Sequence, residues 1–181
     1  ALGDIWAMGS DPEIALTNII IPESSNDIQK RTIEEIIDGA NSVFSAEGVK
    51  IIGGHTSLGK EIVIGFTLGG FSKKQPKTVD KACVGDQIIL TKPLGSGVLL
   101  AGEMRFEGEG HDLKNLFDAM SKSQSSIARV LSRVANSMTD ITGFGLAGHL
   151  LNIVSKSNVG AKLFLDQIPV YPGANNLIAK D

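Results

Sequence analysis

The chain has 181 residues, 42% hydrophobic and 20% charged, which is apolar material enough for one good-sized domain or two small ones. Its 17 Lys and Arg against 20 Asp and Glu leave a net charge of −3 with no long basic run, which argues against nucleic acid or an anionic membrane as the main partner. The single cysteine, Cys83, excludes an internal disulfide framework and a Cys-based zinc site. Beside Ala82 and Val84 it is expected to be a small core residue. No apolar stretch is long enough to span a bilayer, and no basic segment followed by an apolar one marks secretion, so the cytoplasm is the expected compartment.

In chain order, residues 1–8 read as the end of a helix, stopped near Gly9. Residues 13–21, rich in β-branched side chains and closed by Pro22, predict a strand. Ser24, Ser25, Asn26 and Asp27 offer N-caps for a long helix to about Glu47, with Ile33, Ile36, Ile37, Ala40, Val43 and Phe44 on one buried face. Two strands follow, 49–53 and 61–69, joined by Gly54–Gly59. The polar, lysine-rich stretch around 72–82 is the linker candidate and divides the chain into 1–72, a linker at 73–83, and 84–181.

Beyond it, 86–91 predicts a short buried strand and Ser96 the start of a helix. A second helix over about 112–136 would bury Leu113, Leu116, Phe117, Met120, Ile127, Val130, Leu131 and Val134 on one face. A helix to about Lys156, a strand near 161–165 and a last helix after Pro169–Gly173 complete an α/β or α+β arrangement in two parts. Beginning and ending inside such patterns, the chain is expected to be the central fragment of a longer protein. It contains no dinucleotide fingerprint and no Walker loop.

The segment Met138–Gly145 carries the clearest chemistry. Asp140 precedes Ile-Thr-Gly-Phe-Gly, where Gly143 and Gly145 let backbone approach a ligand closely. A carboxylate there can hold a hard cation that bridges to substrate phosphates, and the helix that follows aims N–H groups at the same spot. On generic physics, a plain helix-capping role for Asp140 or Thr142 outweighs a metal role. For Gly53-Gly54 an ordinary hairpin bend is the plainer reading, and for Asp4 a solvated helix carboxylate. Lys92 at a strand end could attract phosphate, with a solvated lysine at least as good a reading. His149, on an apolar helix, reads first as a packed, hydrogen-bonded residue. His111 falls in a polar loop without a role, and Lys73-Lys74 is a solvated linker pair.

Residue identity changes that balance. Thr139-Asp140-Ile141-Thr142-Gly143-Phe144-Gly145-Leu146, followed by Gly148-His149, resembles the signature of the selenophosphate synthetases (selenide, water dikinases). Thr91-Lys92-Pro93-Leu94-Gly95 resembles the motif that opens that family's second domain. Gly53-Gly54-His55-Thr56 and Leu2–Gly9 resemble two more of its segments. Four such motifs in order make the resemblance specific, and it covers essentially the whole chain.

Membership in this aminoimidazole ribonucleotide synthetase-like superfamily implies an N-terminal α/β domain whose strands pair with a second subunit's in a dimeric barrel. It also implies an incomplete C-terminal α/β domain, with ATP and several Mg²⁺ between the two. By the same resemblance Asp4 and Asp140 would be Mg²⁺ ligands, with Asp4 also close to the nucleotide. Gly53, Gly54, His55 and Thr56 would contact ATP bound mainly to the partner subunit. The implied reaction converts selenide and water to selenophosphate, AMP and phosphate at the expense of ATP, in a cytoplasmic homodimer. The family's catalytic Cys or selenocysteine, a nearby Lys and a further metal-binding Asp would all precede Ala1. This chain alone is therefore expected to show little or no synthetase activity.

Two alternatives stand beside this. One is another ATP enzyme of the superfamily, such as a thiamine-monophosphate kinase or a hydrogenase-maturation factor; the Lys-Pro of Thr91–Gly95 and Phe144 argue against it. The other is a non-catalytic dimerisation or nucleotide-binding module.

Overall fold

The computed structural model describes residues 1–72 and 75–180, so the Lys73-Lys74 pair lies outside the described residues. The chain forms two compact units, Ala1–Lys77 and Thr78–Asp181.

The first unit is built around one strand. Helix α1 (Leu2–Ala7) leads into β1 (Asp11–Pro22), followed by α2 (Asn26–Ala46), β2 (Lys50–Gly59) and β3 (Val63–Phe71). The sheet order is β2-β1-β3, with β2 parallel and β3 antiparallel to β1. The β-branched run of β1 thus takes the central place, where both edges are paired. Its pleat sorts side chains strictly: Ala15, Thr17, Ile19 and Ile21 are buried, whereas Ile14 and Leu16 are 42% and 45% exposed. On the covered face, Ala15, Phe44 and Val49 form a core with Leu2, Ala40, Ile51, Phe66 and Leu68 packed against it. Phe44 meets Phe66 edge-on, ring centroids 5.2 Å apart.

Helix α2 starts one residue after Ser25 and ends before Gly48, whose φ of +74° stops it as expected. Of the six residues predicted to form its buried face, Phe44 alone is buried, and Val43 is exposed. More consequentially, no hairpin joins the second and third strands. β2 runs on through Gly53–Gly59, and β1 lies between it and β3.

The second unit holds α3 (Ser96–Met104), α4 (Gly110–Met120), α5 (Ser125–Val134), α6 (Gly145–Ser157), a 3₁₀ turn (Leu165–Gln167) and α7 (Ala174–Ile178). Its core is Leu99, Leu116, Tyr171 and Ala174, with Val98, Leu100, Ala119, Val170 and Leu177 around them. The predicted strands at 86–91 and 161–165 do not form; a single bridge, Leu94 to Val170, is the β-pairing among the described residues of this unit. Ile88 and Ile89, expected in a buried strand, are exposed. The predicted helix over 112–136 is two helices, broken at Ser121–Gln124, where Ser121 Oγ donates to Phe117 O at 2.6 Å. Its apolar residues therefore do not share one buried face: Leu113 and Leu116 are buried, but Phe117, Met120, Val130 and Val134 are exposed.

Leu116, fully buried, is the packing centre of this unit. Leu116→Ala is expected to lower its stability by about 2–5 kcal/mol, measured as a fall in the thermal unfolding midpoint.

Candidate functional site

The segment leaving α5 is anchored by its own side chains. Asn136 Nδ2 donates to Asp86 Oδ1 at 2.8 Å, and Ser137 Oγ donates to Thr78 O at 2.8 Å. The chain then enters a turn in which the Gly145 N–H donates to Thr142 O at 2.9 Å. Gly145 closes it at φ +64°, a conformation that costs any other L-residue about 1–2 kcal/mol. Helix α6 starts there, with Phe144 at its N-cap and no side-chain cap bond. The capping role weighed for Asp140 or Thr142 is therefore not what either side chain does. Asp140 is half-buried, and among the described residues none donates to its carboxylate. Thr139 Oγ1 donates to the Asp140 backbone O at 3.1 Å, leaving both carboxylate oxygens available. In sequence, Asp140 precedes a helix whose first N–H groups lack a side-chain cap.

Around this turn the structure resolves several sequence readings. His149 is hydrogen-bonded, as its apolar helix suggested, and its partner is the turn itself: the Thr142 N–H donates to His149 Nε2 at 3.1 Å. Lys92 is partly buried and held by backbone carbonyls. Its Nζ donates to Ala119 O at 2.7 Å and Lys122 O at 2.9 Å, satisfying carbonyls at the end of α4. Partial burial, reinforced by the charge of Lys122, holds its ammonium below the usual lysine pKa. Cys83 is exposed rather than a core residue. His111 lies in the first turn of α4, not in a loop.

Sequence reasoning passed over its neighbour Asp112, a buried carboxylate whose Oδ1 accepts no hydrogen bond among the described residues. His111 Nε2 lies 3.0 Å from that oxygen, within ion-pair range but not aligned to donate. An acidic residue in the first turn of an amphipathic helix carries no signal that distinguishes burial from exposure.

In the first unit, Asp4 sits in α1 with 68% of its side chain exposed, 3.5 Å from the Ala1 amino group. Gly53, Gly54, His55 and Thr56 lie within edge strand β2, opposite Leu16, Thr17, Asn18 and Ile19 of β1. The pleat therefore splits the four: Gly53 and His55 share the bare face with Leu16 and Asn18, and Gly54 and Thr56 share the covered face with Thr17 and Ile19.

Models of the AIR synthase related protein family match nearly the whole chain, the N-terminal domain over residues 1–72 and the C-terminal domain over 84–177. The chain belongs to this family. Among curated members of known name it is similar to the selenide, water dikinase of Shewanella sp. (strain MR-4), 32% identical over 99% of this chain and 51% of the relative. The Bdellovibrio bacteriovorus enzyme of the same name is 32% identical over 99% of this chain and 52% of its own length. The chain thus spans about half the length of the curated relatives it matches.

Among solved structures, the thiamine-monophosphate kinase of Stenotrophomonas maltophilia K279a aligns with TM-score 0.80 at 25% identity, over 96% of this chain and 56% of that one. AaThiL complexed with AMPPCP and TMP aligns at 0.81 and 20% identity, over 99% and 58% of the two chains. The hydrogenase maturation protein HypE in complex with ATP aligns at 0.77 and 18% identity, over 98% and 54%. These last two show the shared AIR synthase-like fold. The mixed α+β architecture expected from sequence is that of the family, and no helix among the described residues is long and apolar enough to cross a membrane.

Proposed function

We propose that this chain is the ATP- and Mg²⁺-binding part of a selenophosphate synthetase. In the proposed reaction, the γ-phosphoryl group of ATP passes to selenide. Water then hydrolyses the remaining ADP to AMP and phosphate. The observation that carries the reading is the Asp140 carboxylate, free of donors among the described residues, in the turn segment that leads into the uncapped helix α6. Its motif stands within a family match, in a chain 32% identical to named selenide, water dikinases.

The residues fit magnesium in a particular way. Among the described residues no three His, Cys, Asp or Glu side chains converge into a metal cage. Magnesium bound to nucleotide needs none: one or two carboxylates plus substrate phosphates suffice. Asp140 in the second unit and Asp4 in the first are each assigned as a Mg²⁺ ligand, taken unit by unit; an ion held by either carboxylate would neutralise phosphate charge during transfer. Gly53–Thr56 would meet nucleotide from β2, with Gly53 and His55 approaching from the bare face. Isothermal titration of the 181-residue chain with ADP, with and without Mg²⁺, tests the proposal. Mg-dependent binding supports it, and no binding at millimolar nucleotide overturns it.

The same reading makes the chain a homodimer through its sheet. The bare face presents exposed Ile14 and Leu16 beside Gly65, Thr67 and Gly69 of β3, with Asn18 and His55 on the same side. Leu16→Asp is expected to convert a dimer to a monomer at micromolar concentration in sedimentation velocity, because it places a charge at the centre of that face. A wild-type chain that sediments as a monomer at the same concentration sinks the assignment.

The resemblance to thiamine-monophosphate kinases keeps a second substrate in view. Titration with thiamine monophosphate distinguishes the two: binding of that compound would favour the other ATP enzyme.

A further inference from the structure

We propose that His149 is a positioning residue: its unprotonated Nε2 holds the Thr142 N–H and fixes the Asp140-bearing turn in one conformation. The inference rests on the functional reading above and assigns a task to a residue that reading leaves without one.

Three observations converge on the imidazole. First, the Thr142 N–H donates to Nε2 at 3.1 Å, and Thr142 Oγ1 lies at the same distance from that nitrogen. A backbone N–H can donate only to a ring nitrogen with a lone pair, so a neutral His149 carries its proton on Nδ1. Second, the Phe144 ring stands edge-on to the imidazole, centroids 6.0 Å apart. Third, Gly148 makes this placement possible. A Cβ at 148 would fall 2.8 Å from Phe144 Cβ, so a larger residue would push Phe144 away from the helix. The pair Gly148-His149 therefore acts on the turn as one device, the glycine giving room and the histidine the bond.

The device answers a physical need. The turn contains Gly143 and Gly145, the latter at φ +64°, and such a segment samples many conformations unless something holds it. Thr142 is held on both sides: its carbonyl accepts from the Gly145 N–H, and its N–H is taken by His149. A helix N-terminus normally relies on a Ser, Thr, Asp or Asn at the N-cap. Here Phe144 occupies that position without a side-chain cap bond, and the turn is tied to the helix by a different bond, from the Thr142 N–H ahead of the helix to His149 within it. Asp140 is two residues from the clamped amide. A ligand that needs one arrangement of Asp140 binds with an apparent affinity reduced by the fraction of time that arrangement exists, so the clamp raises affinity without touching the ligand.

Two variants and two readouts separate this role from mere packing. His149→Leu keeps bulk and removes the acceptor, whereas His149→Gln places an amide oxygen where Nε2 stood. In wild type, long-range proton–nitrogen correlation should show Nδ1 protonated and Nε2 bare. The Thr142 amide should exchange about tenfold faster in His149→Leu and at near wild-type rate in His149→Gln. Mg·ADP affinity should fall about tenfold in the leucine variant and recover in the glutamine variant. A proton on Nε2, an unchanged Thr142 exchange rate in His149→Leu, or a glutamine variant behaving like leucine overturns the inference. Should the leucine variant not fold, the wild-type ring signature and the glutamine variant decide it. Should wild type bind no nucleotide, the proposed function fails and the exchange measurement still decides the clamp.

Discussion

Asp140→Asn is expected to weaken Mg-dependent binding of ADP at least about a hundredfold while leaving the unfolding midpoint of the 78–181 unit unchanged. The two halves of this expectation come from the same geometry. Because no described group donates to the carboxylate, the fold loses no bond when its charge is removed. The cation, by contrast, loses a full negative charge. Unit charges 4 Å apart near a protein surface interact by about 4 kcal/mol, which amounts to several hundredfold in affinity. Asparagine keeps the shape and one oxygen, so the loss reports charge rather than volume. Titration with ADP in the presence of a chelator is the control, since metal-free nucleotide should bind wild type and variant alike. Equal Mg-dependent affinity in the two chains would remove Asp140 from the metal site.

How far the sequence showed this differs from element to element, and the differences have physical causes. β1, α2 and α6 were legible because their signals are local. β1 is a β-branched run closed by Pro22, α2 an amphipathic pattern ended at Gly48, and α6 an apolar helical pattern running to about Lys156. The runs at 86–91 and 161–165 look equally strand-like, yet a strand needs a neighbour to bond with. Among the described residues of that unit the one β-pairing is the bridge from Leu94 to Val170. The break between α4 and α5 was hidden because periodicity continues across it. It is made by the polar Ser121–Gln124 segment, with Lys92, distant in sequence, donating to the Ala119 and Lys122 carbonyls.

The site shows the same division. Asp140 was singled out by motif identity, whereas its freedom from capping and the attachment of His149 to Thr142 depend on how a turn folds back on a helix. No residue spacing displays that. The glycines of β2 misled for a related reason: a Gly-Gly pair after a strand reads as a bend, but here it lies in mid-strand.

That pair carries the second large prediction, because the structure gives its two members different surroundings. Gly54 sits directly opposite Thr17 in the parallel register. A Cβ on it would fall onto Thr17 Oγ1 and the Thr17 backbone O, and within 2.8 Å of the Thr17 N. Backbone atoms of the central strand cannot move aside without breaking the pairing on which the sheet is built. Gly54→Ala is therefore expected to cost more than about 3 kcal/mol, a large share of the roughly 4–11 kcal/mol that a unit of this size possesses. The 1–77 unit should melt far below wild type or not fold.

Gly53 differs. Its Cβ would meet Leu16 Cδ2 at 3.5 Å, an ordinary contact, so Gly53→Ala should fold with a nearly unchanged midpoint. The contrast separates packing from ligand contact within one motif. Loss of nucleotide affinity in a folded Gly53→Ala chain would show that the bare-face side of β2 approaches the nucleotide, as the resemblance implies. Unchanged affinity would leave close strand packing at Gly54 as the sufficient reason for glycine in this stretch. A Gly54→Ala chain with wild-type melting would overturn the packing account itself.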